Sequence, residues 1–157
     1  MESFFEWLQS QSVPTWVSES DSIWGFPTVL FLHSVGMGLS AGAAFIIGLR
    51  LLGVGRPLPV SSLRVLFKIF WGGFVLNFVT GSLLFAAHAT TTGYVPMYYA
   101  KLALILVGVI LLFPMRRFVD SDASDGVIPA HLRALALVSL GVWIGVITTG
   151  RLIAYFG

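Results

Sequence analysis

Four side chains stand out against apolar surroundings: His33 in "FLHSVGMGLSAG", His88 in "FAAHAT", Lys101 in "YYAKLALI" and Arg151 in "ITTGRLIAYFG". Two imidazoles at one depth on adjacent antiparallel helices can hold a haem iron between them, the protein supplying axial ligands and a dry pocket. Lys101 and Arg151 are of the right type for the anionic edge of such a group, its propionates, or for a quinone oxygen. Stepping by helical turns back from His88 puts Leu84, Gly81, Asn77 and Phe74 on one face. Gly81 is then a flat spot beside the ligand. The same count from His33 gives Gly36, Met37, Ser40 and Ala44, a face of small groups with room for a porphyrin. Asn77 and the tyrosines at 94, 98 and 99 are placed to tune or gate the site.

Each residue also has a plainer use. His88 can contact water or headgroups at the interface, and His33 can bond a carbonyl or Asn77. Lys101 can snorkel from a helix end. Arg151 needs a partner: helix carbonyls, a propionate, a lipid phosphate, a quinone oxygen, or Glu19 and Asp21 folding back over it. His131 stands beside Pro129, where it reads as a solvated helix start.

The elements that position these groups are membrane spans. The 157 residues are 57% hydrophobic and 10% charged, with a mean hydropathy of +0.91. Soluble domains carry about 25% charged residues. Apolar runs at 27–52, 66–90, 97–115 and 132–156 have the length, roughly 20 residues, that crosses a bilayer, the third being the shortest. The spacing predicts an all-α, up-down four-helix bundle over 25–157. Residues 1–24, with Phe4, Phe5, Trp7 and Leu8 interleaved with Glu2, Glu6 and Gln9, predict a short interfacial helix. That segment lacks the basic start of a cleavable signal peptide, so the first span is expected to stay in the mature protein.

Charge orients the bundle. Arg50, Arg56, Arg64 and Lys68 flank the first connection, and Arg116, Arg117 and Arg133 the third. Only Lys101 and Arg151 lie toward the other side. The positive-inside rule puts both termini outside the cytoplasm. The pI near 9.3 therefore reflects topology and gives no reason to expect nucleic acid. All seven acidic residues lie outside the spans, which counts against ion-coupled transport and proton pumping. Cysteine is absent, so disulfides, thiolate metal sites and cysteine lipidation are excluded. Asp120, Asp122 and Asp125 resemble only part of a calcium loop. Gly38 and Gly42 form a GxxxG pair, which serves helix packing or cofactor packing equally.

The stretches "SIWGFPTVLFLHSVGMGLSAG…LRLLG", "WGGFVLNFVTGSLLFAAHAT…YYAKLALI" and "SLGVWIGVITTGRLIAYFG" resemble a family of small bacterial four-helix integral membrane proteins of unknown function. The matching positions are His33, Gly36, Gly42, Arg50, Thr80, Gly81, Lys101, Gly150 and Arg151. The chain departs from the pattern at Gly48, where an acidic residue often precedes "LRLLG". In the family another polar residue can stand in the place of His88. Looser similarity links the chain to copper-resistance D-type membrane proteins and small haem-b membrane cytochromes, an analogy at the level of fold.

The sequence thus predicts an electron-transfer subunit in the bilayer. It would bind haem b, or a quinone, near the periplasmic face through His33, His88, Lys101, Arg151, Gly36, Asn77 and Gly81, with His33 and His88 on the metal. The alternative is a cofactor-free accessory subunit of a larger membrane complex. A redox partner or a homo-oligomer is compatible with either.

Overall fold

A computed structural model describes residues 2–121 and 127–156, all helix, turn or coil with no strand among them. Asp122 and Asp125 of the acidic loop lie outside these residues. The helices are α1 (Glu2–Gln9), α2 (Ser12–Glu19), α3 (Phe26–Leu52), α4 (Leu63–Ala87), α5 (Ala89–Thr92), α6 (Pro96–Asp120) and α7 (Ala130–Phe156), with a 3-10 turn at Val60–Ser62 before α4. Four helices are long and apolar enough to cross a membrane. Their outward faces carry residues such as Phe78, Leu106 and Leu137, each more than 60% exposed. Apolar side chains so open to the surroundings suit lipid and not water.

Local chemistry sets the ends. Pro27 and Pro96 sit in the first turns of α3 and α6, where a missing N–H costs nothing. Gly53 closes α3 in the left-handed region at φ 101°, which glycine enters freely. α6 continues through Pro114 to Asp120, beyond the expected end at 115. Gly108, Leu112, Met115 and Val119 are its buried residues, and this helical stripe holds the last turns against the core.

The N-terminal segment forms two helices, not the single interfacial helix expected. α1 packs on α4 and α5, and α2 on α3 and α4. Phe5 is buried edge-on against Phe85 and Tyr94, and Val17 is buried with Val29 and Ala87.

The long helices meet in antiparallel pairs. Gly36 meets Gly73 and His33 meets Gly81 between α3 and α4; Gly108 meets Trp143 and Gly150 meets Lys101 between α6 and α7. α3 also packs on α7, whereas α4 and α6 barely touch. The main core fills the half of the molecule that carries the arginine-rich connections. There Ile47, Leu51, Leu63, Phe70, Met115 and Val119 are fully enclosed. The other half, toward α1 and α2, is hollow.

Candidate functional site

The hollow is a cavity of about 650 Å³, within the range of roughly 300–1,000 Å³ usual for small-molecule and cofactor sites. It exists because α4 and α6 part between two aromatic contacts, while Arg64 ties the far ends of the same helices to Val119 and Asp120. Phe85 stacks on Tyr98 with ring centroids 4.7 Å apart, and Trp71 meets Phe113 at 6.2 Å. Between these contacts lie about 14 residues of each helix, or about 20 Å of axis. Phe78, Leu102 and Leu106 line the cavity and are themselves exposed. The cavity is therefore a cleft open sideways, toward lipid.

His33, Asn77, Gly81, His88 and Lys101 all line this cleft. Sequence reasoning placed them at one end of the molecule, and the structure brings them to one cavity.

Arg151 does not join them; it is exposed and absent from the lining. Successive helical residues turn by about 100°. Gly150 and Ile153 face the cleft, so Arg151 is carried off that face. Arg151 therefore does not converge on His33, His88 and Lys101 as the sequence predicts. Gly150 takes up the space: a Cβ there would stand 3.6 Å from Lys101 Cε and 3.7 Å from Nζ. The bare glycine lets the lysine stem lie along α7. Among the described residues Lys101 has no ion pair.

His33 is held firmly. Its Nδ1 lies 3.1 Å from Thr80 Oγ1. The Thr80 hydroxyl donates to the Leu76 carbonyl at 2.7 Å, so it can only accept from the ring, and Nδ1 carries the proton. Nε2 has no hydrogen-bond partner among the described residues and is not enclosed. Its lone pair is open to the cleft. The ring lies over Gly81, where a Cβ would come within 2.9 Å of Cε1. Gly81 seats the histidine; it is not the flat spot expected for a macrocycle.

Gly36 also serves packing. A Cβ there would stand 2.7 Å from the Asn77 backbone nitrogen and 2.9 Å from the Gly73 oxygen. α3 and α4 are in backbone contact, and no porphyrin fits between them. At Gly38 and Gly42, the GxxxG pair, an added Cβ would meet nothing within 4 Å.

His88 is the residue after α4, with Nδ1 donating to the Leu84 carbonyl at 3.4 Å. Its ring meets Phe26 edge-on at 5.4 Å. Phe26 stands seven residues before His33 on α3, which is about 10 Å along the axis. The two imidazoles thus sit at different depths. Metal–imidazole bonds of about 2 Å need both nitrogens within about 4 Å of each other. One iron held by both histidines would require the two rings to close that offset. Among the described residues no three His, Cys, Asp or Glu side chains gather to hold a metal ion. His131 is exposed at the far end, on the first turn of α7.

Phe85 was not legible as a site residue from sequence, although it closes the cleft with Tyr98. Its position one turn before Ala89 and beside an expected tyrosine belt was the only available signal. Asn77 Oδ1 is enclosed without a partner, a polar cost in the cleft wall.

The chain belongs to a family of unknown function, DUF6644, whose pattern matches residues 4–156. This is membership of the kind the quoted stretches implied, and it covers nearly the whole chain. No curated protein and no solved structure matches the chain.

Proposed function

We propose that this is a multi-pass inner-membrane subunit for electron transfer, with both termini periplasmic, whose cleft holds a quinone. The four long helices act as one up-down bundle, and the ring of the quinone lies between His33 and Lys101. The observation that carries the reading is the shape of the cleft: a polar end inside the protein and an apolar mouth between α4 and α6. A quinone has that form, a polar ring on a lipid-soluble tail. Its ring oxygens suit the Lys101 ammonium, which otherwise has no counter-charge in an apolar wall, a costly arrangement. Tyr98 and Phe85 close the cleft above the ring. Haem b is the weaker fit, because His33 alone would have to carry the iron and both Gly36 and Gly81 are already filled by protein.

The test is the content of protein purified in mild detergent from quinone-replete bacterial membranes. Organic extraction is expected to release about one quinone per chain, and Lys101→Met to lower that amount severalfold. A protein that carries neither quinone nor a haem b band in its reduced-minus-oxidised spectrum would overturn the proposal. A b-type band lost in His33→Ala would replace quinone with haem.

One observation favours the accessory-subunit reading as a second use of the same chain. Gly38, Gly42, Gly72 and Gly141 have open space where a side chain would stand. Small residues of this kind let another membrane helix approach closely. Co-purification of a stable membrane partner, lost in Gly42→Leu with the quinone retained, would support it.

A further inference from the structure

The hydrogen-bonding state of His33 restricts which form of the ligand the cleft accepts. Thr80 Oγ1 gives its proton to the Leu76 carbonyl and can receive one only from His33 Nδ1. With Lys101 lining the same cavity and no acidic side chain among its lining residues, a second positive charge on the ring would have no counter-ion. The ring is the neutral Nδ1–H tautomer, and Nε2 presents a bare lone pair. A group placed against Nε2 must be a donor. A quinone carbonyl is not; it would set two acceptors face to face and leave both unsatisfied. A hydroquinone hydroxyl is a donor, and its oxygen keeps lone pairs for an ammonium donor such as Lys101.

We infer that the cleft is selective for the dihydroxy, reduced form of the ring, its hydroxyl donating to His33 Nε2. The selectivity rests on the quinone reading above and goes beyond it by naming the redox form. It identifies the protein as a receiver or holder of quinol from the bilayer. Phe78, Leu102 and Leu106 at the cleft mouth are placed to accept the tail without changing this preference.

The test uses the wild-type chain in lipid nanodiscs with three probes that share a decyl tail: a dihydroxybenzene, its quinone, and the dimethyl ether of the dihydroxy form. Dissociation constants are read by tryptophan quenching or calorimetry. The dihydroxy probe is expected to bind roughly 10- to 100-fold more tightly than either of the others, the range of one unsatisfied buried acceptor. In His33→Leu the preference is expected to fall to within about twofold, with the overall fold checked by circular dichroism. Equal binding of quinone and dihydroxy probe by the wild type would overturn the selectivity while leaving the quinone reading intact. Failure of all three probes to bind would overturn both.

Discussion

The imidazole of His33 lies over Gly81, whose missing side chain is what gives the ring its place: a methyl group there would meet Cε1 at 2.9 Å. The contact couples the α3–α4 seam to the cleft wall. Gly81→Ala is expected to push the ring off Thr80, at a cost of about 1–3 kcal/mol for overpacking. It should therefore lower both thermal stability in detergent and retained ligand. Stability unchanged with ligand fully retained would show that the ring has somewhere else to go.

Thr80 is the positioning residue for His33, and its hydroxyl is nearly the whole of that role. Thr80→Val keeps the shape of the side chain and removes the acceptor. The expected loss is about 1 kcal/mol in stability, the usual net value of one hydrogen bond. Ligand affinity is expected to drop severalfold, because the ring is then free to change tautomer. Thr80→Ser should restore most of the affinity. A valine variant that binds as tightly as wild type would remove Thr80 from the site.

Two glycines on α3 separate close packing from open space. At Gly36 a Cβ would meet the α4 backbone at 2.7 Å, whereas at Gly42 it would meet nothing. Gly36→Ala is expected to destabilise by about 1–3 kcal/mol as α3 and α4 are forced apart. Gly42→Ala is expected to be neutral, or to stabilise by up to about 1 kcal/mol through helix propensity. Unfolding of the two variants in mixed micelles gives the comparison. The same sign for both would contradict the backbone contact.

The spans were legible because twenty or so apolar residues in a row have few other uses, and the helices begin within a few residues of where the hydropathy rises. The common cavity of His33, His88 and Lys101 was legible too, since antiparallel neighbours bring the ends of alternate helices together. Rotation about each helix axis was not. Gly150 and Arg151 are adjacent in sequence, yet only the first faces the cleft, and periodicity in an all-apolar helix is too weak to say which. For the same reason the packing pair on α3 is Gly36 with Ser40, not the Gly38–Gly42 pair that matched a motif. Depth was not legible either. α4 ends at Ala87 and not at 90, so His88 stands just past the helix, and its ring pairs with Phe26. The second N-terminal helix escaped because Pro14 sits inside its first turn, where a proline is tolerated.

Phe5 is what ties α1 to the rest, buried edge-on between Phe85 and Tyr94. Since Phe85 also stacks on Tyr98, α1 braces the aromatic closure of the cleft. Phe5→Ala is expected to release α1 locally, at a cost of up to about 3 kcal/mol. Hydrogen exchange should rise over residues 2–9 while α3 and α7 keep their protection. Uniform loss of protection throughout would mean that α1 is part of the global folding unit.

The absence of cysteine makes the orientation in the bilayer open to direct measurement with single introduced thiols. Glu19 and Arg56 are both exposed and lie at opposite ends of the long helices. The arginine-rich connections are expected in the cytoplasm. In intact cells a membrane-impermeant maleimide that crosses the outer membrane should then label Glu19→Cys and leave Arg56→Cys unlabelled until the inner membrane is opened. The reverse pattern would place the cleft near the cytoplasmic face. His33 and Lys101 would then meet ligand on that side, and any redox partner would have to be sought there.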